Sequence, residues 1–544
     1  MSIRGANLVI RSLARAGVER VFALSGNHIM SLFDACLDEG IEIIHVRHEA
    51  AAVHMADAVG RLTGKPAVAL VTAGPGFANT LSAQYVTSMA ESPLVLLSGA
   101  APSTAPAGLG FQAMPQEQMA GHVSKASWAA QDIDRLGHDV ARAFRLSQSG
   151  RPGPVYLSLP VNLLESETER NAGTLPVEDD FHPIMDLLDT QMARQCLALI
   201  SSAERPLIIT GPACCHSDGH ELMGELTEKL GVPVVAMQSP RGINDPSLGA
   251  FAEVLSAADL LVLIGKKTDF TLKLARPPFV DSTCRIIQFA PEIGVLEQTN
   301  ELLEQTGQFV LADVAGPRAC LERLLQVGET SADQSDWLTE VQSAIGYRPD
   351  EWPSIDTATT SELHPVQVGR AINEFLQQEK DAIFVSDGGE FGQWMQACAN
   401  TARCMINGPA GSIGGSLPMA IGAAIDSEET VLATLGDGTM GFHPAEFETA
   451  VRHNARVIAV VGNDSRWNSE HQIQLREYGE ARTHSCNLSA VDYASVAASF
   501  GARGFQVNSI DELQAALHEA NQTDGPSCID VKIESVAAPI IRRA

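Results

Sequence analysis

The stretch TVLATLGDGTMGFHPAEFETAVRHNARVIAVVGNDSRW, Thr430 to Trp467, constrains the fold of this chain more than any other. Thr430 to Leu435 is a short apolar, β-branched run, the pattern of a strand buried on both faces. Gly436-Asp437-Gly438 interrupts it, and Pro444 to Val451 has helical spacing. Arg456 to Gly462 is a second buried strand, ending at Asn463-Asp464. A strand, helix and strand in this succession form a βαβ unit with parallel strands, whose C-terminal ends share the sheet edge where open α/β folds bind ligands. Asp437 and Asp464 are thereby brought to one edge. Gly436 and Gly438 carry no Cβ to obstruct a bulky anion. Carboxylate and amide oxygens suit a hard cation such as Mg²⁺, which takes a few protein oxygens and fills its remaining positions with diphosphate oxygens. The same residues without a ligand would be a βαβ unit with an Asp-Gly turn.

The rest of the chain repeats this alternation. Residues 1–165 contain apolar strands at Val21 to Leu24, Ile41 to Val46, Ala67 to Val71, Leu94 to Ser98 and Tyr156 to Leu159, with helical segments between them. An acidic segment rich in Thr and Pro, about 165 to 183, reads as a solvated linker. Residues 185–330 form a second unit, with strands at Pro206 to Thr210, Val232 to Ala236, Leu260 to Gly265 and Arg285 to Phe289. A second linker is expected over about 328 to 360, and a third unit over residues 360–544. The expectation is an α/β protein of three doubly wound parallel-sheet domains. The first and third share a strand–turn–helix plan, which fits an ancient duplication.

With 544 residues and a formal net charge of −29, the surface disfavours nucleic acid and anionic membranes as partners and leaves a small-molecule substrate. The ten cysteines show no CxxC pair and no metal-ligand spacing, so a reducing, cytoplasmic setting is expected. The N-terminus, MSIRGANLVIRSLARAGV, alternates Arg with apolar residues at helical spacing. It reads as a first surface helix rather than a secretory signal, and no run reaches transmembrane length.

Glu49 ends one buried strand and opens a helix of small residues in RHEAAAVHMADAVGRLTG, followed by VALVTAGPGFANT. On its own it reads as a helix N-terminal charge or a solvated turn. Together with Gly-Asp-Gly and the Asn-Asp roughly two dozen residues later, these stretches resemble the thiamin diphosphate-dependent enzymes of the acetolactate synthase, benzaldehyde lyase and 2-hydroxyacyl-CoA lyase family. The resemblance covers nearly the whole chain. It implies pyrimidine-binding, central and diphosphate-binding domains, with thiamin diphosphate and Mg²⁺ as cofactors. It implies that Glu49 hydrogen-bonds a ring nitrogen of the cofactor's aminopyrimidine. The Gly411 carbonyl accepts from the cofactor amine, and Ile413 props the cofactor into its bent shape, both within NGPAGSIGGSLPMAIGAA. Gly436, Asp437 and Gly438 receive the diphosphate. Asp437, Asp464 and the Arg466 carbonyl are the implied metal ligands, although many relatives carry Asn where Asp464 stands.

His28, in SGNHI, matches the turn of the benzaldehyde lyase branch, where the His relays a proton near the substrate hydroxyl; as a lone residue it reads as structural. Gln112, in GFQAMPQ, matches an active-site Gln, or is a polar loop residue. Trp467 either lines the substrate pocket or packs. In the middle unit Gln288 and Ala290 replace acidic residues common in nucleotide-binding relatives, and no GxGxxG follows a strand, so no flavin is expected.

The combined reading is a lyase or carboligase acting on 2-hydroxy carbonyl or 2-keto acid substrates. The implied assembly is a homodimer or homotetramer with active sites between subunits. The alternatives are an acetolactate synthase and, outside enzymes, a non-catalytic thiamin diphosphate-binding regulatory protein. Glu49 argues against the last, because binding alone does not require activation. A nicotinamide-dependent dehydrogenase lacks its glycine fingerprint.

Overall fold

Three parallel sheets organise the computed structural model, which describes residues 2–105, 108–169, 175–216, 218–329, 336–355 and 362–543. The chain divides into two compact units, Met1–Asp186 and Leu187–Ala544. The first unit holds a six-stranded sheet in the order Glu42–His45, Arg20–Ala23, Ala67–Val71, Leu94–Ala100, Pro154–Pro160, Ala126–Ala129. The second unit holds two sheets. One is five-stranded: Val234–Ala236, Pro206–Thr210, Leu260–Ile264, Arg285–Ala290, Phe309–Val314. The other is six-stranded: Cys404–Ile406, Ile383–Ser386, Val431–Gly436, Val457–Asn463, Ser527–Lys532, Arg503–Val507. Every ladder in the three sheets is parallel. The α/β class with three parallel-sheet domains is therefore as the alternation implied.

The expected βαβ unit is present. Val431–Gly436 lies directly beside Val457–Asn463, in register from Val431 opposite Val457 to Gly436 opposite Gly462. Leu432, Val460 and Ile458 are buried in one apolar cluster. Each such side chain contributes about 1.5–3 kcal/mol when fully removed from water. In the first unit, helix Glu49–Thr63 is buried from Glu49 through Arg61. Its Ala-rich sequence lets it lie close on the sheet. Its two interior charges are matched to each other, with Arg61 Nη2 2.6 Å from Asp57 Oδ2. A buried pair of this kind costs about 3–5 kcal/mol when one member is removed.

Both linker expectations need correction. Glu167–Glu169 pairs antiparallel with Ser2–Arg4, so part of the first linker is a short strand. Within the second, Asp336–Gly346 is a helix with Trp337, Leu338, Val341 and Ala344 buried, and Trp337 Nε1 donates to the Pro206 carbonyl at 2.8 Å. Apolar residues recurring at helical spacing outweigh the polar composition around them. Residues 170–174, 330–335 and 356–361 lie outside the described residues. Among the described residues no helix is long and apolar enough to cross a membrane.

Candidate active site

In the second unit a cavity of about 250 Å³ opens at the C-terminal edge of the six-stranded sheet. Gly411, Ile413, Gly436, Asp437, Gly438, Asp464, Arg466 and Trp467 all line it. The site residues expected on this part of the chain are thus gathered in one place. The cavity sits where the strand order reverses, between Ile383–Ser386 and Val431–Gly436. A Cβ added at Gly436 would meet nothing within 4 Å, whereas one at Gly438 would lie 2.6 Å from the Trp467 ring. The first glycine leaves open space; the second lets Trp467 close over the turn. Two helices begin at the cavity, Gly389–Cys398 and Asn468–Tyr478, and neither has a side-chain N-cap. Their first amides are left for a ligand or water.

Asp437 is buried and its Oδ2 accepts the Arg466 amide at 3.1 Å. Burial, and then the neighbouring Asp464 carboxylate, push Asp437 up to about 7. Burial also raises Asp464 above the usual carboxylate range. Two desolvated carboxylates facing each other favour either a proton or a cation between them. The surrounding network is stiff. Tyr493 Oη donates to the Asp437 carbonyl at 2.7 Å, and Asn463 Nδ2 donates to buried Asp530 at 3.0 Å. Asp387, fully buried at the end of strand Ile383–Ser386, accepts from the Gly388 amide at 2.7 Å, the Gly414 amide at 3.0 Å and Ser416 Oγ at 2.6 Å. It fixes the loop that carries Gly411, whose φ is +65°, and Ile413. The Arg466 side chain turns to Asn487 and Ser535.

In the first unit, His28, Glu49 and Gln112 surround the loop Thr72–Gly76. His28 follows strand Arg20–Ala23 on the 3₁₀ turn Asn27–Ile29 and is 3% exposed. Its Nδ1 lies 3.4 Å from Thr72 Oγ1, and its ring stacks on Phe111 with centroids 5.7 Å apart. Burial lowers its pKa below the usual imidazole value, against a hydrogen bond to the Phe111 backbone that raises it. Glu49 is buried at the first turn of its helix, and Asn79 Nδ2 donates to its Oε2 at 2.9 Å. His48, not Glu49, caps the helix, its Nδ1 accepting the Ala50 amide at 3.1 Å. The other carboxylate oxygen, Oε1, faces Gly76, where an added Cβ would lie 3.4 Å away. Gln112 has φ of +55° and abuts Gly74 closely, a Cβ at Gly74 falling 2.8 Å from that of Gln112. One loop therefore touches all three residues.

Comparison with known proteins agrees with this layout. The chain matches the thiamine pyrophosphate enzyme N-terminal TPP binding domain over residues 3–123, the central domain over 193–302 and the C-terminal TPP binding domain over 387–531. It is 30% identical to 2-hydroxyacyl-CoA lyase 2 of Danio rerio, over 94% of this chain and 87% of that protein. The chain belongs to the thiamine pyrophosphate enzyme family. The human 2-hydroxyacyl-CoA lyase 2 is 30% identical over 96% of this chain and 88% of its own length. A probable acetolactate synthase of Mycobacterium bovis is 28% identical over 99% and 97%. The chain is thus a thiamine pyrophosphate-dependent enzyme of the lyase and transferase kind.

For a thiamine pyrophosphate enzyme the cavity residues fit the family's cofactor, also called thiamin diphosphate. Open space at Gly436 and two uncapped helix starts suit the diphosphate, and the paired carboxylates suit a cation. Among the described residues no three His, Cys, Asp or Glu side chains gather as a metal site by themselves. Asn79, Asp387, Asp530 and Gln116 were not singled out in the sequence. Asn79 lies in the run VALVTAGPGFANT, and an amide four residues past Pro75, beside the glycine-containing loop, was the available signal. Asp387-Gly388-Gly389, at the end of a buried strand, repeats the strand–Asp–Gly pattern of the opening motif.

Proposed function

We propose that this enzyme cleaves and forms the carbon–carbon bond of 2-hydroxy carbonyl compounds, with Mg²⁺ held by Asp437, Asp464 and the Arg466 carbonyl. The observation that carries this reading is His28, a buried imidazole packed between Thr72 and Phe111; its burial favours the neutral form. Bound thiamin diphosphate supplies the electron sink for breaking a bond next to a carbonyl. The chain's own residues handle protons and position. As the bond between the carbinol and carbonyl carbons breaks, the hydroxyl proton passes to the His28 imidazole and the carbinol carbon leaves as an aldehyde. Gln112 orients the substrate carbonyl. Asn79 occupies Glu49 Oε2, and Oε1 would be left to share a proton with a ring nitrogen of the cofactor. Gly411 and Ile413, which line the cavity, would hold the cofactor amine and the conformation that brings it to the reactive carbon, a proximity effect.

A second cavity, of about 840 Å³, adjoins the first within the second unit and is lined by Arg241, Lys273, Arg542 and Arg476, the last paired with Glu477. Its acids are engaged: Glu253 accepts from Arg543, and Glu390 accepts the Ala538 amide. This basic lining supports a substrate with a large anionic tail, such as the acyl-CoA in the names of the vertebrate relatives. The assembly we propose is a homodimer or a dimer of dimers in which two copies complete each site. Mixed dimers of Glu49→Gln with Asp437→Ala should then regain part of the activity, and no recovery would remove that assembly.

The test of function is a panel. Purified protein with Mg²⁺ and thiamin diphosphate should release aldehyde from an aromatic acyloin or a 2-hydroxyacyl-CoA. Turnover of pyruvate to acetolactate, with no cleavage of either, would select the synthase reading instead.

A further inference from the structure

Gln116 has no place in the proton transfers just described, yet it is the most heavily bonded side chain around them. It opens helix Gln116–Ala120 and is 2% exposed. Its Oε1 accepts the Gly74 amide at 2.6 Å. Its Nε2 lies 2.7 Å from Tyr156 Oη, 3.1 Å from Ser98 Oγ and 3.1 Å from the Gly99 carbonyl. The orientation of the amide is set by chemistry, since a backbone N–H can only be met by the oxygen and a carbonyl only by the nitrogen. Ser98 and Tyr156 bond each other at 2.6 Å, and the Tyr156 ring packs on Phe77 with centroids 4.7 Å apart.

The two backbone groups that Gln116 holds are those against which the candidate catalytic residues rest. A Cβ at Gly99 would fall 2.5 Å from His28 Cβ and 3.1 Å from the His28 carbonyl, so Gly99 is the floor under the imidazole's backbone. Gly74 abuts Gln112 and lies in the loop whose Thr72 meets His28 Nδ1. Gln116 itself has no exposed surface to offer a substrate. Its amide acts as a fixed spacer, with one end on the loop Thr72–Gly76 and the other on the strand end beneath His28.

We propose that Gln116 is a positioning residue that sets the distance between His28 and the loop Thr72–Gly76, and so the alignment of His28 with the substrate hydroxyl. This rests on the reading of His28 as the proton acceptor. Gln116→Met keeps the shape and removes both ends of the spacer. Gln116→Glu keeps the acceptor for Gly74 and removes the donors to Gly99, and it serves if the Met variant does not fold. A shift of about 1 Å in a reacting group costs roughly 10²-fold. Single-turnover cleavage of the acyloin should fall by that order in either variant, with the dissociation constant of the acyloin little changed; the lost buried hydrogen bonds lower the thermal midpoint whether or not Gln116 positions His28.

The deciding experiment is a double-mutant cycle with His28→Ala. Gln116 acting through His28 predicts that adding Gln116→Met to His28→Ala slows cleavage less than about threefold further, against roughly 10²-fold in the wild-type background. A full, multiplicative loss in the His28→Ala background, or no loss from Gln116→Met alone, overturns the proposal and leaves the lyase reading standing. A silent His28→Ala overturns the lyase reading, and this inference with it.

Discussion

The two six-stranded sheets share one plan and carry different chemistry. Numbered along the chain, the strands of each lie in the order 2-1-3-4-6-5. In both, the third strand ends in a glycine-containing turn and a short helix, Pro75–Ala78 in the first unit and Asp437–Met440 in the second. The identical order supports the duplication expected from the sequence. The turns differ in what they present. Thr72–Gly76 offers a hydroxyl and a backbone packed among His28, Glu49 and Gln112, of which we propose that His28 and Glu49 hold or move protons. Gly436–Gly438 offers open space and a carboxylate facing Asp464, groups that suit an anion and a cation. The topology fixes the place of a site; the residues at the strand ends decide whether it transfers protons or anchors a phosphate.

That division has consequences that substitutions can break. Asp437→Ala should weaken retention of the cofactor with Mg²⁺ and lower turnover by roughly 10³-fold or more, a loss of about 4 kcal/mol. The check is the quench of intrinsic fluorescence on titrating thiamin diphosphate with Mg²⁺. Glu49→Gln should lower turnover by roughly 10²–10⁴-fold while the same titration stays near wild type. Deuterium exchange at the thiazolium carbon, read by quenched NMR, should slow in step. Loss of binding in Glu49→Gln as severe as in Asp437→Ala would erase the contrast between the two sheets. Asn79→Ala should cost roughly tenfold in turnover by freeing Glu49 Oε2, the scale of one hydrogen bond to a charged group, and Asn79→Asp should cost more by placing a like charge there.

The smallest effect concerns pH. Asp437 is raised in the folded chain from an ordinary value of about 3.9 up to about 7, so the folded state binds the proton that the unfolded state has released. Without metal, stability therefore falls as pH rises through that window. Thermal midpoints of the metal-free protein should drop between pH 5 and pH 8 by a few degrees. Mg²⁺ with thiamin diphosphate should restore more at pH 8 than at pH 5. A flat pH response in Asp437→Ala would assign the drop to this pair.

Much of this comparison was legible before any fold was seen. Val457–Val461 and Ala67–Val71 are continuous apolar runs, and Val431–Leu435 is one broken only by Thr434, the pattern of a doubly covered parallel strand. Gly-Asp-Gly and Asn-Asp marked the strand ends directly. Edge strands were less visible: Cys404–Ile406 is short, and Arg503–Val507 is mostly exposed, so neither carries a buried-strand pattern. The supporting polar residues were hidden for another reason. Asn79 reaches Glu49, Gln116 reaches Gly74 and Asp387 reaches Ser416 across 30, 42 and 29 residues, separations that no local period encodes. Helix Asp336–Gly346 was masked by Ser, Asp and Thr on either side, although Trp337, Val341 and Ala344 carried its spacing.

The central claim is that the first sheet's polar cluster makes this enzyme a lyase through His28. Its most direct test is a pair of single-turnover rates, cleavage of a 2-hydroxy carbonyl substrate and decarboxylation of a 2-keto acid, in wild type and His28→Ala. Cleavage must remove a hydroxyl proton, whereas carbon dioxide leaves without one. Cleavage should fall by roughly 10²–10⁴-fold, the range of a general base, and decarboxylation much less. Equal losses in the two rates would contradict the account and return His28 to a structural role.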